Sequence, residues 1–339
     1  MILLGLMVSL SGCATMGWYG QAARGQLDIL SKRQDISRLI EHPETDPLLA
    51  ERLALALDIR AFAVDELGLP DSRSYTMYAD LGREAAVWNV VATPRFDLTP
   101  RTWCYPLVGC LAYRGFFDPA RAQALAEELS EAGYDAAVFP VSAYSTLGWF
   151  ADPVLNTMLR RDEAAFAGLI FHELAHEKLF LRGDTRFSEG YAVAVERIGV
   201  ERWLSARGED QLLADWRAEQ ALQARFTDLL LAAREELEAL YASDRTEAEM
   251  TRQRRQVFAA LTAAVAELDD AEGEPRFRRW AERDIHNAHL ALVATYESAV
   301  DGFMALYADC DGELPCFHQR AAEVAKADPS TRARLLGDT

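Results

Sequence analysis

Between Gly208 and Gly273 the chain contains no glycine and no proline, and Ala, Leu, Glu and Arg fill most positions. Such a stretch has little choice but helix. These residues enter helices at low cost, whereas Gly costs about 1 kcal/mol and Pro about 3 kcal/mol in a helix interior. The pattern predicts long helices from about Glu209 to Tyr241 and from Glu247 to Asp270, with a third from Arg276 to Tyr307. Two further helices are expected upstream, one running from Asp162 to about Leu181 and one beginning near Ser188, where Ser188 can act as its cap. The expected fold class is therefore α+β and mainly α-helical.

The β component is confined to the middle of the chain. Ala85–Val91 is a β-prone run stopped by Thr93-Pro94, and Tyr105–Phe117 carries aromatic and β-branched residues broken by Gly109 and Gly115, as in a hairpin or a bulged sheet. Asp118-Pro119 opens a helix reaching Gly133, and Tyr134–Val141 is a further strand. Ser142–Pro153 is a loop that either shapes a substrate cleft or simply packs. Upstream, Trp18–Leu67 reads as two helices broken near Pro43 and Pro47. With 339 residues, half of them hydrophobic, the chain can build one large domain. Residues 14–339 are taken as that unit, with N-terminal helices over 18–72, a small β-containing part over 73–155 and a helical catalytic part over 156–339.

Met1–Leu10 is apolar, too short to span a bilayer, and runs into Leu10-Ser11-Gly12-Cys13. This resembles a bacterial lipobox, so residues 1–13 are expected to be a lipoprotein signal with Cys13 as the lipidated mature N-terminus. No basic segment precedes the apolar run. Ala14 after the cysteine resembles Gram-negative lipoproteins of the outer membrane, which implies a lipid-anchored, periplasm-facing protein of the cell envelope. In that oxidising compartment Cys104 with Cys110, and Cys310 with Cys316, are expected to form two local disulfides. Each closes a short loop, stabilising by only about 2–3 kcal/mol. Acidic residues number 53 against 35 Lys and Arg, a formal net charge of −18. Such a surface argues against nucleic acid or anionic lipid as a partner, leaving the N-terminal lipid as the membrane contact.

Within the helix after Asp162 lies Phe171-His172-Glu173-Leu174-Ala175-His176, the pattern H-E-x-x-H. Residues i and i+4 stand one turn apart on one helix face, so His172 and His176 can converge on a single Zn2+ ion. Glu173 lies beside them, close enough to take a proton from a metal-activated water without binding the metal. The surrounding Phe166, Leu169, Ile170 and Leu174 make this an apolar helix, where incidental polar groups would be costly to bury. A catalytic zinc takes a third protein ligand. Glu189 and Glu196 are the candidates, separated from His176 by twelve and nineteen intervening residues respectively. They stand two turns apart, about 10 Å, and cannot both serve. Small Gly190 and Ala192 beside Glu189 are expected to let its helix approach the motif helix.

The motif with Ser188-Glu189-Gly190-Tyr191-Ala192 resembles the corresponding element of the gluzincin peptidases, whose third ligand is that glutamate. The spacing, with Ala143–Phe150 and Asn287-Ala288, is similar to that of a bacterial aminopeptidase family predicted from genomes, and the likeness spans most of the chain. It implies a gluzincin-like active-site helix pair, Glu189 as the third ligand with Glu196 as the alternative, and a zinc-dependent aminopeptidase acting on peptides. Ser188 stands where the family commonly has Asn, and His289 where Arg is expected. The Gly-x-Met-Glu-Asn element that binds the substrate amine in better-known gluzincins is absent. For the oxyanion donor Tyr296 is selected, because related peptidases use a Tyr or His of a later helix; His286, His289, Tyr191 and Tyr144 are the alternatives. A reading from another class is a non-catalytic envelope lipoprotein or chaperone with a structural metal site. An intact Glu173 counts against it.

Overall fold

The computed structural model describes residues 2–105, 109–272, 276–293 and 299–337, with side chains from residue 17 onward except at 271 and 272. The chain is mainly helical, and three small sheets occur among the described residues. The N-terminal region holds three helices rather than two: α1 (Ile2–Ser31), α2 (Ile36–Glu41) and α3 (Pro47–Asp65). The helical spacing from Leu27 to Ile40 is interrupted because β1 (Gln34–Asp35) pairs antiparallel with β2 (Met77–Ala79). The Asp35 carboxylate then caps α2 by accepting from the Arg38 amide. Pro47 opens α3 behind its cap Asp46. Among the described residues no helix is long and apolar enough to cross a membrane.

The β part follows the expected order. β3 (Val87–Pro94) is central, flanked antiparallel by β6 (Arg114–Phe116) and β7 (Tyr134–Val141), while β4 (Trp103–Tyr105) and β5 (Gly109–Leu111) form a small hairpin. Cys104 faces Cys110 across that hairpin and is bonded to it; Cys310 and Cys316 are likewise paired. Helix α4 (Pro119–Glu131) starts at Asp118, whose carboxylate accepts from the Ala120 amide. It lays Ala122, Ala126 and Leu129 on Val90, Ala92 and Phe116 of the sheet. β8 (Val154–Leu155) pairs parallel with β2 and delivers the chain to the next helix.

The main core surrounds α5 (Glu163–Lys178) and α6 (Thr185–Arg207), with α3 packed alongside. Asp162 caps α5 through the Ala165 amide, and Phe166, Ile170, Phe171 and Leu174 are wholly buried. At about 1.5–3 kcal/mol per large apolar side chain, this burial holds α5 rigidly inside the molecule. Helices α7 (Asp210–Tyr241) and α8 (Glu247–Glu272) form a long hairpin around a second apolar cluster containing Leu230, Leu237, Leu261 and Val265.

The expected helix from Arg276 to Tyr307 is not continuous. Short α9 (Arg278–Ala281) and α10 (Asn287–Leu290) are separated by His286 in extended conformation, and α11 (Val300–Ala308) starts beyond the described gap. Tertiary hydrogen bonding overrides helix propensity here. The Asn287 amide nitrogen Nδ2 donates to the carbonyls of Pro94, Arg95 and Asp97, and its Oδ1 accepts from the Tyr241 hydroxyl. Asn287 therefore fastens α10 to the end of β3 and to α7. Two closing helices, α12 (Leu314–Lys326) and α13 (Pro329–Leu335), complete the chain, each with proline in its first turn.

Candidate metal centre

Helices α5 and α6 approach closely where their side chains are small. A Cβ on Gly168 would lie 3.1 Å from the Glu196 side chain, and one on Gly199 would lie 2.6 Å from the Phe171 ring. The expected role of Gly190 is corrected. It faces Ala299, the residue before α11, where an added Cβ would come within 2.6 Å of the Ala299 Cβ. Ser188 is not the helix cap either. Asp184 caps α6 through the Phe187 amide, and its other oxygen accepts from Arg332 Nε at 2.7 Å. Ser188 Oγ instead accepts from the Leu181 amide at 3.0 Å and donates back to the Asp184 carbonyl at 3.0 Å. The turn from α5 to α6 is thus tied together one residue before Glu189.

This packing converges three ligand atoms. His172 Nε2 lies 3.1 Å from His176 Nε2, and the Glu189 Oε2 oxygen lies 3.4 Å from the first and 3.6 Å from the second. Nitrogen and oxygen ligands around a tetrahedral zinc stand about 3.3–3.5 Å apart, given bonds of about 2.0–2.2 Å. The donor set also fits a cation chemically. A carboxylate only accepts, so His172 Nδ1, 3.1 Å from Glu196 Oε2, carries the proton of the neutral ring. Its Nε2 lone pair then faces His176 Nε2 and the Glu189 oxygen, a cluster in which a shared proton or a metal ion is stabilising. These three residues could hold a metal ion. Glu196 is the carboxylate behind the histidine, the arrangement that orients a ligating imidazole and fixes its tautomer.

The electrostatics without metal reflect the same pairing. Burial disfavours the imidazolium of His172, but its hydrogen bonds to the Glu189 and Glu196 carboxylates outweigh it and push the pKa up to about 10. Burial likewise works against the Glu189 carboxylate, yet His172 and His176 hold it down at about 2. His176 Nδ1 is buried with no hydrogen-bond partner.

Glu173 is half-buried on α5, its charge felt by His172, Tyr75, Tyr113 and Asp152. Tyr113, in the turn between β5 and β6, was not legible as a site residue. It packs with Phe139 and Leu292 over Ala288 and Ala291, and its hydroxyl is pushed up to about 12, first by burial and then by the carboxylates of Glu189 and Glu173. No spacing in the sequence ties Tyr113 to the motif; only the fold brings the β5–β6 turn within electrostatic reach of Glu189 and Glu173. The other candidates have different surroundings. The Tyr191 hydroxyl is 2.8 Å from His318 Nδ1, whose Nε2 is 2.8 Å from the Leu67 carbonyl oxygen, so Tyr191 is committed to the core. His286 and His289 pack on each other at 4.4 Å, and His289 on Phe139 and Trp280. Tyr144 packs edge-on to Phe117. Tyr296 lies outside the described residues, and Cys13 lies in the stretch of α1 whose side chains are not described.

The fold is mainly helical with a small β part, and its central helix pair converges two imidazoles and a carboxylate that could hold a metal ion. More particularly, residues 17–336 match the family described as "Putative aminopeptidase", and the chain belongs to that family. No curated protein and no solved structure matches the chain.

Proposed function

We propose that this protein is a zinc-dependent peptidase, acting as an aminopeptidase, in which His172, His176 and Glu189 hold one Zn2+ and Glu173 is the general base. The observation that carries this reading is the triangle of ligand atoms with sides of 3.1, 3.4 and 3.6 Å, formed by the two histidines of H-E-x-x-H and a glutamate of the next helix. When bound, zinc supplies a Lewis acid that polarises a carbonyl and acidifies a water to a pKa near 7. The protein's own groups do the rest. Glu196 holds the His172 ring with Nε2 free. Glu173, on the same helix and unconstrained by ligation, takes the proton of the attacking water and returns it to the leaving amine. Tyr113, which keeps its proton across the physiological range, donates to the oxyanion of the tetrahedral intermediate.

Two observations support aminopeptidase action. The family description names that activity. Glu173 and Glu177 are one turn apart, with Asp152 within their electrostatic reach, and such anionic surroundings suit a free substrate amine. We also propose that Cys13 carries the lipid of an outer-membrane, periplasm-facing lipoprotein. The lipobox-like Leu10–Cys13 and the two local disulfides, which suit an oxidising compartment, support this. Metabolic labelling with a radioactive fatty acid should mark wild type and spare Cys13→Ser.

Zinc content per chain tests the ligand set. Wild type and Glu196→Gln are expected to bind one equivalent, the latter more weakly, and Glu189→Gln to lose it. Full zinc in Glu189→Gln with none in Glu196→Gln overturns the assignment.

A further inference from the structure

The loop between β7 and β8 is held in one shape from within. The buried Asp152 carboxylate accepts from the Thr146 amide at 2.7 Å and from the Thr146 hydroxyl at 2.8 Å, and that hydroxyl oxygen accepts from the Phe150 amide at 3.0 Å. At the tip Leu147 and Gly148 both take positive φ, 55° and 77°, a conformation that is costly for a leucine. A strained tip on a rigid base displays the two aromatic residues next in the chain. Trp149 is 71% and Phe150 48% exposed, and Phe180, just beyond α5, is 40% exposed; these are the exposed large aromatic side chains among the described residues.

Phe180 and the loop tip bearing Trp149 lie at one edge of the metal centre. An added Cβ on Gly148 would lie 3.4 Å from the Glu177 side chain, so the tip rests on the residue after His176. The Phe180 ring meets the His176 ring edge-on at 5.8 Å, and the Arg182 guanidinium covers the Trp149 indole at 5.7 Å. Segment 177–182 and the loop tip thus form a rim in which Phe180 touches a ligand histidine and Arg182 joins the segment to Trp149. Burial of each ring would be favourable, yet the folded chain leaves them open. A membrane surface is a poor occupant. The rim borders Glu177 and, through His176, Glu189, and the whole chain carries −18, so anionic lipid is repelled. The same charges attract the cationic amino end of a peptide.

We propose that Trp149 and Phe180 form the subsite that seats a bulky apolar side chain of the substrate next to the scissile bond. This rests on the peptidase reading and adds its specificity. Arg182, stacked on the indole, is a positioning residue for Trp149.

The test compares kcat/KM for leucyl and alanyl arylamides in wild type, Trp149→Ala, Trp149→Phe and Phe180→Ala, each with measured zinc content. The leucyl-to-alanyl ratio is expected to exceed about 10 in wild type, to fall about tenfold in Trp149→Ala and Phe180→Ala, and to be kept in Trp149→Phe, as expected when apolar contacts carry discrimination. A ratio unmoved by all three substitutions overturns the proposal. So does Trp149→Ala losing sedimentation with phosphatidylglycerol vesicles while keeping its ratio, since the rim would then serve a membrane. If zinc-loaded wild type cleaves neither substrate, the peptidase reading fails separately. Fluorescence titration of Glu173→Gln and of Glu173→Gln/Trp149→Ala with a leucyl and an alanyl tripeptide then reads the subsite directly. Tighter leucyl binding that depends on Trp149 supports it, and equal binding overturns it.

Discussion

Without metal His172 is an imidazolium up to about pH 10, because two carboxylates hold it against the pull of burial. Zinc requires the neutral ring, so metal uptake must displace that proton. Between pH 6 and 8 zinc affinity is therefore expected to rise about tenfold per pH unit, and calorimetry in buffers of different ionisation enthalpy should report proton release near one from this group. Weakening of zinc binding as pH rises would contradict this. Removing the Glu196 carboxylate with Ala should weaken zinc by about 10–100-fold by freeing the His172 ring. Tyr113→Phe should retain zinc and lower kcat by about 10²-fold, the effect of losing one oxyanion donor. At this scale the H-E-x-x-H residues were legible because i,i+4 spacing alone puts both imidazoles on one face. Glu189 and Glu196 were legible only as a pair. Choosing between them needs the packing of α6, which puts Glu189 on both histidines and Glu196 behind one. Tyr113 was invisible, since its relation to α5 exists only through the fold.

The elements that deliver these residues depend on close approaches and local ties. Gly190→Ala would drive a methyl group against Ala299, including its backbone carbonyl carbon at 3.2 Å. It should destabilise by about 1–3 kcal/mol, measured by denaturant unfolding. The α6–α12 contact should also give a pH signature. Burial lowers His318 from 6.5 to about 4, against the Leu67 hydrogen bond that raises it. A depressed folded-state pKa means the unfolded chain binds the proton first, so stability falls as pH drops from about 6.5 through about 4. The loss attributable to His318 is on the order of 3 kcal/mol, and His318→Gln should flatten that part of the pH–stability curve. Helix starts at Asp118-Pro119 and Asp162 were legible because a cap is local chemistry. The break before Asn287 was not, because its cause is a set of carbonyls at the distant end of β3.

For the whole molecule, the glycine- and proline-free run dictated a mainly helical chain, and the β-prone runs between Ala85 and Val141 marked its β insertion. What composition could not express is how that insertion meets the helices. The turn bearing Tyr113 lies within electrostatic reach of Glu173 and Glu189, and the loop bearing Trp149 rests on Glu177, so residues far apart in the chain come near one triangle of ligand atoms. The disulfides close turns remote from that triangle in sequence, and they are expected to support the rim of the fold rather than its chemistry. The central claim is that this assembly activates water, not merely that it binds an ion. The direct measurement is hydrolysis of leucyl arylamide by wild type and Glu173→Gln at matched zinc content. Equal zinc with a fall of about 10³-fold in kcat for the variant is the expected result. Equal rates in the two proteins, or zinc-loaded wild type that cleaves no peptide, would contradict it.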